Sequence, residues 1–223
     1  MLGFSDHAPY LFEDGYVSPI RMKMNELEGY VDSIYALKKE YEKDIEIYCG
    51  LEMEYFPRLF ERTIDKIDQY PIEYMILGQH FYDDEIGWIT PKRTDTDEAH
   101  LKKYVDRIVE GIATNRFLYV AHPDLVYYEG ERHIYKKHML RLAQELKKHH
   151  MPIEVNMNGF CAGLHYPGLE FMKIGIENGN EFIMGVDAHS PKMLLDYENY
   201  ENCKQMITQL GGKVINSREY LKC

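Results

Sequence analysis

Residues 46–52 read EIYCGLE, a short run of apolar and β-prone residues that ends in the carboxylate of Glu52. A run of this kind between polar segments predicts a buried strand over Glu46–Leu51. Similar runs recur along the chain, and most of them are followed at once by a histidine, a carboxylate or an amide. The predicted strands are Leu2–Ser5, Glu46–Leu51, Tyr74–Gly78, Phe117–Ala121, Ile153–Asn156, Phe182–Val186 and Lys213–Asn216.

Amphipathic stretches of helical length separate these runs. Within residues 26–42, for example, apolar side chains recur at spacings of three and four, which predicts a helix with one buried face. The predicted helices are Glu26–Glu42, Thr96–Ala113 with Thr94 and Asp97 as its cap, Arg132–His150, and Tyr197–Leu210 ending at Gly211. Strands that alternate with helices predict parallel βα units in a single α/β domain over residues 1–223. An open sheet and a barrel both fit this order, and about seven strands favour the barrel.

The composition is that of a globular protein. Of the 223 residues, 45% are hydrophobic and 28% are charged, which excludes disorder and collagen-like repeats. A formal net charge of −11 argues against an extended nucleic-acid partner. Apolar runs are too short to cross a membrane, and we expect no export signal. The four widely spaced cysteines, Cys49, Cys161, Cys203 and Cys223, are therefore expected to be reduced thiols in a cytoplasmic protein.

Chemistry-bearing residues follow five of the predicted strands. They are Asp6-His7, Glu52, Gln79-His80, His122 and Asp187-Ala188-His189. In parallel α/β architectures the carboxyl ends of the strands converge on one face, so we expect these side chains to share one rim. Imidazoles mixed with carboxylates, and no cysteine among them, suit zinc, manganese or iron. Two or more such ions a few Å apart favour hydrolysis of a phosphate ester.

Other catalytic patterns are weaker in this sequence. Gly-rich phosphate loops and a GxSxG motif are absent from it. Cys161 and His165 are close enough along the chain for a thiol nucleophile and its base, but we expect Cys161 to be a buried structural thiol. Five further histidines fall on helical patterns and are expected to be solvated: His100, His133, His138, His149 and His150.

Five segments occur in an order that resembles one protein family. They are Gly3-Phe4-Ser5-Asp6-His7-Ala8-Pro9, Gly50-Leu51-Glu52-Met53-Glu54-Tyr55-Phe56-Pro57, Leu77-Gly78-Gln79-His80-Phe81, Ala121-His122-Pro123-Asp124 and Asp187-Ala188-His189-Ser190. This order resembles the polymerase-and-histidinol-phosphatase (PHP) superfamily, and within it the histidinol-phosphate phosphatase branch. The resemblance implies a distorted (β/α)7 barrel that holds two or three divalent metal ions (Zn, Mn or Fe).

The resemblance also implies roles for individual residues. Glu52 is similar to the carboxylate that bridges two metals, and His80 and His122 are similar to ligands of one of them. Asp187 resembles the remaining ligand of the other bridged metal, while His7 and His189 resemble ligands of a third. Catalysis would then depend on Glu52, Asp187 and His189, with a metal-bridging hydroxide attacking phosphorus.

The chain departs from the family pattern in two places. Family members begin with a strand bearing His-x-His, whereas this sequence opens at the following segment. We expect either a late start or a naturally shortened relative that lacks the first βα unit. After the fifth predicted strand, Cys161 stands where the phosphatase branch tends to carry an arginine, although the pair Tyr166-Pro167 is kept.

Residues in the loops that follow the predicted strands are candidates for binding the substrate. An arginine suits the oxygens of a phosphate, and Arg93 is the first candidate, followed by Arg132 and Arg58. His165 and Tyr166 are further candidates on the predicted rim.

Three functions remain open at this point. The first is a metal-dependent phosphomonoesterase that acts on a small phosphorylated metabolite, L-histidinol phosphate above all. The second is a PHP phosphoesterase for nucleotides or short oligonucleotides, and the third is an inactive domain with a binding or structural role. Absence of the first strand would expose sheet edges, for which we expect a homodimer.

Overall fold

The computed structural model describes residues 1–13 and 15–220 and shows a mixed α/β fold with parallel strands. Its strands are β1 (Leu2–His7), β2 (Ile47–Met53), β3 (Tyr74–Leu77), β4 (Ile153–Asn156), β5 (Glu181–Gly185) and β6 (Lys213–Val214). Its α-helices are α1 (Leu27–Glu40), α2 (Phe60–Ile67), α3 (Glu98–Ala113), α4 (Arg132–Lys148), α5 (Met157–Cys161), α6 (Leu169–Asn178), α7 (Tyr197–Gln209) and α8 (Ser217–Tyr220). Short 3-10 turns occupy Met24–Glu26 and Met193–Leu195.

The strands form two parallel three-stranded groups, β1-β2-β3 and β4-β5-β6. Val120 joins the groups, since it pairs with Leu77 of β3 on one side and with Ile153 of β4 on the other. The prediction of a strand over Phe117–Ala121 is therefore wrong in extent. The segment exchanges backbone hydrogen bonds with β3, but its ladder stops because the next residue, His122, turns into the left-handed region at φ 33°.

The other predicted strands occur with shifted ends, and Ile153–Asn156 has the predicted bounds. The four predicted helices are present and slightly shorter. At the start of α3, the Asp97 side chain alone accepts the capping hydrogen bond, from the Ala99 N–H at 2.8 Å, so Thr94 was wrongly included in the cap. Helices α2, α5 and α6 were not predicted, since 5–10 residues offer too few turns for a periodic pattern.

The core lies between the strands and the surrounding helices. All four residues of β4 are buried, as expected for a strand covered on both faces. Helix α3 packs on α4, and α4 packs on α6. The apolar stripe of α3 includes Tyr104 and Ile108, both fully buried. Among the described residues, no helix has the length and hydrophobicity needed to span a bilayer.

Two side chains have environments opposite to those expected. His138 was predicted to be solvated, but it is buried on α4 and its Nε2 lies 2.9 Å from the Glu98 carboxylate. The buried edge of α4 against α3 accounts for this. Cys161 was predicted to be buried, but it lies exposed at the end of the short helix α5. Cys49 and Cys203 are buried free thiols, and Cys223 lies outside the described residues.

Helix α6 approaches the sheet closely at Gly175. A Cβ at this position would lie 2.5 Å from Ile153 Cδ1 and 3.1 Å from the Phe182 ring. We expect Gly175→Ala to lower the free energy of unfolding by about 1–2 kcal/mol, because overpacking outweighs the gain in helix propensity. Gly29→Ala on the exposed side of α1 meets no atom within 4 Å and should raise it by roughly 0.5–1 kcal/mol. Urea denaturation measures both, and equal stabilisation by the two substitutions would contradict this packing.

Candidate metal centre

The carboxyl ends of the parallel strands bring all six predicted metal ligands to one pocket of about 310 Å³. These residues are His7, Glu52, His80, His122, Asp187 and His189. His7 ends β1 and is the register partner of Glu52 in β2. His80 follows β3, His122 follows the Val120 bridge, and Asp187 and His189 follow β5. All of these ligands therefore lie at the carboxyl ends of neighbouring parallel segments.

The Glu52 carboxylate lies buried among three imidazoles. Its Oε1 is 3.1 Å from His122 Nε2 and 3.6 Å from His80 Nε2, and its Oε2 is 4.0 Å from His7 Nδ1. One donor atom each from His7, Glu52 and His80 lie within 4.8 Å of one another. Gly78 permits this placement, because a Cβ on that residue would overlap the Glu52 carboxylate.

The donor set fits a metal ion. Two ligands that each lie about 2.0–2.2 Å from a shared ion are separated by about 3–4 Å, which is the spacing between Glu52 and the His7 and His80 nitrogens. Buried nitrogens of His7, His80 and His122 (Nδ1 in each) have no hydrogen-bond partner within the described structure. A buried polar atom without a partner is costly, and for His7 Nδ1 a cation beside Glu52 removes that cost.

The ionisation of this group reflects burial and mutual attraction. Burial acts to raise the pKa of Glu52, but the hydrogen bond from His122 and the neighbouring imidazoles hold that pKa well below its usual range. Burial lowers the pKa of His80. Burial also acts to lower the pKa of His122, but the Glu52 carboxylate outweighs it and raises the pKa to about 9. The carboxylate is therefore ionised and available to a cation near neutral pH.

Asp187 and His189 form the other side of the pocket. Asp187 Oδ2 accepts hydrogen bonds from the side-chain amides of Asn156 and Asn158, both at 3.2 Å. Asp187 has φ 49°, a left-handed conformation that is uncommon for a residue other than glycine or asparagine. His189 is largely exposed, with its Nδ1 3.7 Å from Asp187 Oδ1. This pair supplies a second carboxylate and a further imidazole to the same pocket.

A buried carboxylate behind the first ligands holds His80 in place. Glu54 Oε2 accepts the backbone N–H groups of His80 and Phe81, both at 2.9 Å. Its Oε1 accepts a hydrogen bond from the buried Arg21 at 2.8 Å, and Arg21 also pairs with Glu85 at 2.7 Å. This network is not predicted from the sequence. The one hint of it in the sequence is the alternation Glu52-Met53-Glu54, since residues two apart in a strand share a face.

Glu154 of β4 does the same for His122. Its Oε2 accepts the His122 backbone N–H at 2.5 Å and the Asn156 amide at 3.1 Å. Burial raises the pKa of Glu154 to about 7. A Cβ on Gly185 of the neighbouring strand would overlap this carboxylate, just as a Cβ on Gly78 would overlap the carboxylate of Glu52. This residue was also missed, because it lies inside an otherwise apolar strand.

Only one of the four predicted substrate-binding residues lies in the wall of this pocket. Tyr166 lines the pocket, with its ring 5.8 Å from that of His122. His165 lies behind it, where its Nε2 donates to the Leu125 carbonyl at 2.7 Å, and it is not part of the pocket wall. Arg93 is exposed outside the wall, and Arg132 pairs with Glu170 at 2.6 Å on the surface. The structure thus brings Tyr166 to the pocket and leaves the other three outside it.

Several further wall residues are not among the site residues predicted from the sequence. Phe81, Trp88, Thr90 and Lys92 come from the segment after β3, and Ile20 comes from the segment after β1. The Phe81 and Trp88 rings pack edge to face at 5.6 Å. Position in a long loop carries no periodic signal, so these residues could be found only from the folded chain.

Comparison with known proteins identifies relatives of the whole chain. The family model described as PHP domain matches residues 1–158. A probable histidinol-phosphatase from Deinococcus radiodurans is 24% identical over 225 aligned positions, which cover 97% of this chain and 84% of the relative.

Two solved structures share the fold. The histidinol phosphate phosphatase of Lactococcus lactis subsp. lactis, solved with zinc, L-histidinol and phosphate, aligns with a TM-score of 0.69 and 19% identity, covering 96% of this chain and 82% of that one. A histidinol phosphatase structure from Listeria monocytogenes aligns with a TM-score of 0.70 and 17% identity, covering 89% and 87%.

The Glu54 network predicts a large effect of a small change. Both Glu54 oxygens accept hydrogen bonds, so the amide of Glu54→Gln must face a donor whichever way it is oriented. We expect this substitution to lower the free energy of unfolding by about 3 kcal/mol or more, and to weaken metal affinity about 10–100-fold. Denaturation and metal titration measure the two effects. Glu61→Gln on the exposed face of α2 is the matched control and should change stability by less than about 0.5 kcal/mol. Equal stability of the two variants would contradict the role of Glu54.

Proposed function

The chain belongs to the PHP domain family, and on that premise we propose that it is a metal-dependent phosphomonoesterase that hydrolyses L-histidinol phosphate to L-histidinol and phosphate. The observation that carries the proposal is the burial of Glu52 among three imidazoles at the converging strand ends. The names of the Deinococcus and Lactococcus relatives support this substrate.

We propose that the pocket holds two or three divalent ions, of zinc, manganese or iron. Glu52, His7, His80 and His122 would hold ions on one side, and Asp187 with His189 would hold an ion on the other. When bound, such ions activate water near neutral pH and neutralise charge on phosphoryl oxygens. The zinc in the Lactococcus structure and the chemistry of the donor set support this assignment.

Side chains of the protein would hold the metal ions and orient the residues that bind them. Glu52 contributes the buried negative charge that a cluster of cations needs, and Glu54 and Glu154 fix the backbone of two imidazole ligands. Asn156 and Asn158 orient the Asp187 carboxylate. Tyr166, Phe81 and Trp88 contribute aromatic rings to the wall. A pocket of about 310 Å³ suits a small phosphorylated metabolite.

We further propose that residues 1–223 belong to one domain, a distorted (β/α)7-type barrel. The C-terminal segment supports the curvature of the sheet. Arg218 pairs with Glu46, just before β2, at 2.9 Å, and the Tyr220 hydroxyl donates to the Leu118 carbonyl, before the Val120 bridge, at 2.6 Å. One short helix thus touches the amino end of β2 and the segment that leads to the Val120 bridge. We also propose that the protein acts in histidine biosynthesis in the cytoplasm, in keeping with the substrate proposed above.

A chelation experiment tests the activity. We expect the metal-loaded protein to release phosphate from L-histidinol phosphate, and EDTA to abolish the release until zinc or manganese is restored. Glu52→Ala and His80→Ala should each reduce kcat/KM by at least about 100-fold, since they remove direct ligands rather than outer partners. Phosphate release is measured colorimetrically, with Glu61→Gln as the control.

The substrate panel includes a nucleoside monophosphate and a phosphodiester. Preference for either of these over L-histidinol phosphate would favour the nucleotide alternative. Full activity after complete metal removal would contradict the mechanism. Fewer than two bound ions per chain together with no turnover on any ester would favour a binding or structural role.

We also propose that the chain forms a homodimer through the outer edge of β1. That edge has no strand partner among the residues that the structure describes, and an unpaired edge favours association. Light scattering should give twice the mass of one chain. A single monomeric species at micromolar concentration would contradict this proposal.

A further inference from the structure

Lys92 is the one lysine or arginine in the wall of the metal-ligand pocket, among the residues that the structure describes. Its ammonium group makes no ion pair with any described carboxylate. Two cations outside this pocket are paired with carboxylates. Lys103 pairs with Asp83, and Arg132 pairs with Glu170. The pocket thus carries one lysine whose ammonium group is in no direct ion pair with a described carboxylate.

The backbone around Lys92 is fixed, which gives its side chain a defined origin. The Tyr127 N–H donates to the Pro91 carbonyl at 2.9 Å, and the Asp95 N–H donates to the Tyr127 carbonyl at 3.0 Å. Asp95 and Tyr128 also form a parallel bridge. Residues 91–95 are therefore held against residues 127–129 in a short ladder. Residues 91–93 form a turn and a bend at the start of this ladder, and there Lys92 lines the pocket while Arg93 lies outside it.

The positive charge of Lys92 affects the pKa of His165, which lies behind the pocket wall. Burial lowers the pKa of His165, and the positive charge of Lys92 adds to that effect. The ring of His165 stacks on Tyr127 at 4.4 Å, and its Nε2–H is bound to the Leu125 carbonyl. The neutral imidazole therefore backs the wall without supplying a counter-charge to the lysine.

We propose that Lys92 binds a non-bridging phosphoryl oxygen of the substrate through its ammonium group. The inference rests on the proposed function, and it deepens it by assigning the cation that recognises the phosphate. A phosphate monoester carries up to two negative charges, and a lysine contributes a point charge with three donors to such a group. A flexible, unpaired lysine at the pocket wall loses no ion pair when it makes this contact.

The test measures phosphate affinity apart from turnover. Lys92→Met, Lys92→Arg and Arg93→Met are compared in metal-loaded protein, with Lys136→Met on the exposed face of α4 as a charge-matched control. Calorimetry gives the Kd of inorganic phosphate and the Kd of L-histidinol, and metal content is measured in every variant. We expect Lys92→Met to weaken phosphate binding about tenfold or more, with L-histidinol binding and metal content unchanged. Lys92→Arg should retain most of the affinity.

The outcomes separate this inference from the proposed function. If the wild-type protein does not hydrolyse L-histidinol phosphate, the proposed function fails, but a selective loss of phosphate affinity in Lys92→Met still supports the contact. If the wild-type protein is active and Lys92→Met binds phosphate as well as Lys136→Met does, the contact is overturned. It is overturned equally if Arg93→Met carries the loss, if Lys92→Met weakens L-histidinol instead, or if wild-type protein binds no phosphate.

Discussion

The buried carboxylate of Glu52 is the constraint on which the rest of the site depends. A carboxylate removed from water is costly unless cations or strong donors surround it, and three imidazoles from three other strand positions do so here. Their approach requires parallel strands whose carboxyl ends meet, a glycine at position 78 that leaves room for the carboxylate, and a ladder that stops at His122. The fold and the set of ligand residues are therefore linked, because both are needed to stabilise the buried charge of Glu52.

Around this carboxylate, two further buried acids act on backbone rather than on a metal. Glu54 and Glu154 each accept the backbone N–H of a ligand histidine, His80 and His122 respectively. This matters most at His122, whose left-handed backbone costs about 1–3 kcal/mol and must be held by its surroundings. Arg21 neutralises Glu54. Glu154 makes no ion pair with a lysine or arginine among the described residues, and burial raises its pKa to about 7.

Much of the fold and of the candidate centre could be predicted from sequence because local signals and topology agree. The run EIYCGLE marks a strand and its terminal carboxylate, and the convergence of parallel strands places Glu52 with His7 and His80 without further information. The segment around Val120 was harder, because its apolar content predicts a strand while the turn at His122 ends the pairing. Helix α2 was missed since eight residues are too few for a pattern.

The remaining failures concern side-chain direction in loops. Arg93 is favoured over its neighbour on chemical grounds, yet in the turn held by the ladder between residues 91–95 and 127–129 it is Lys92 that lines the pocket. No periodicity in the sequence indicates that ladder. Arg21 likewise meets Glu54 and Glu85 only through tertiary contact, at separations of 33 and 64 residues along the chain.

Anomalous scattering from a zinc-soaked crystal, collected above and below the zinc edge, tests the central claim most directly. The account predicts at least one peak within about 2.0–2.2 Å of Glu52 and of imidazole nitrogens from His7 or His80, and a peak near Asp187 and His189 on the other side of the pocket. An ordered pocket with no anomalous density at Glu52, or with zinc bound only at surface sites, would contradict it.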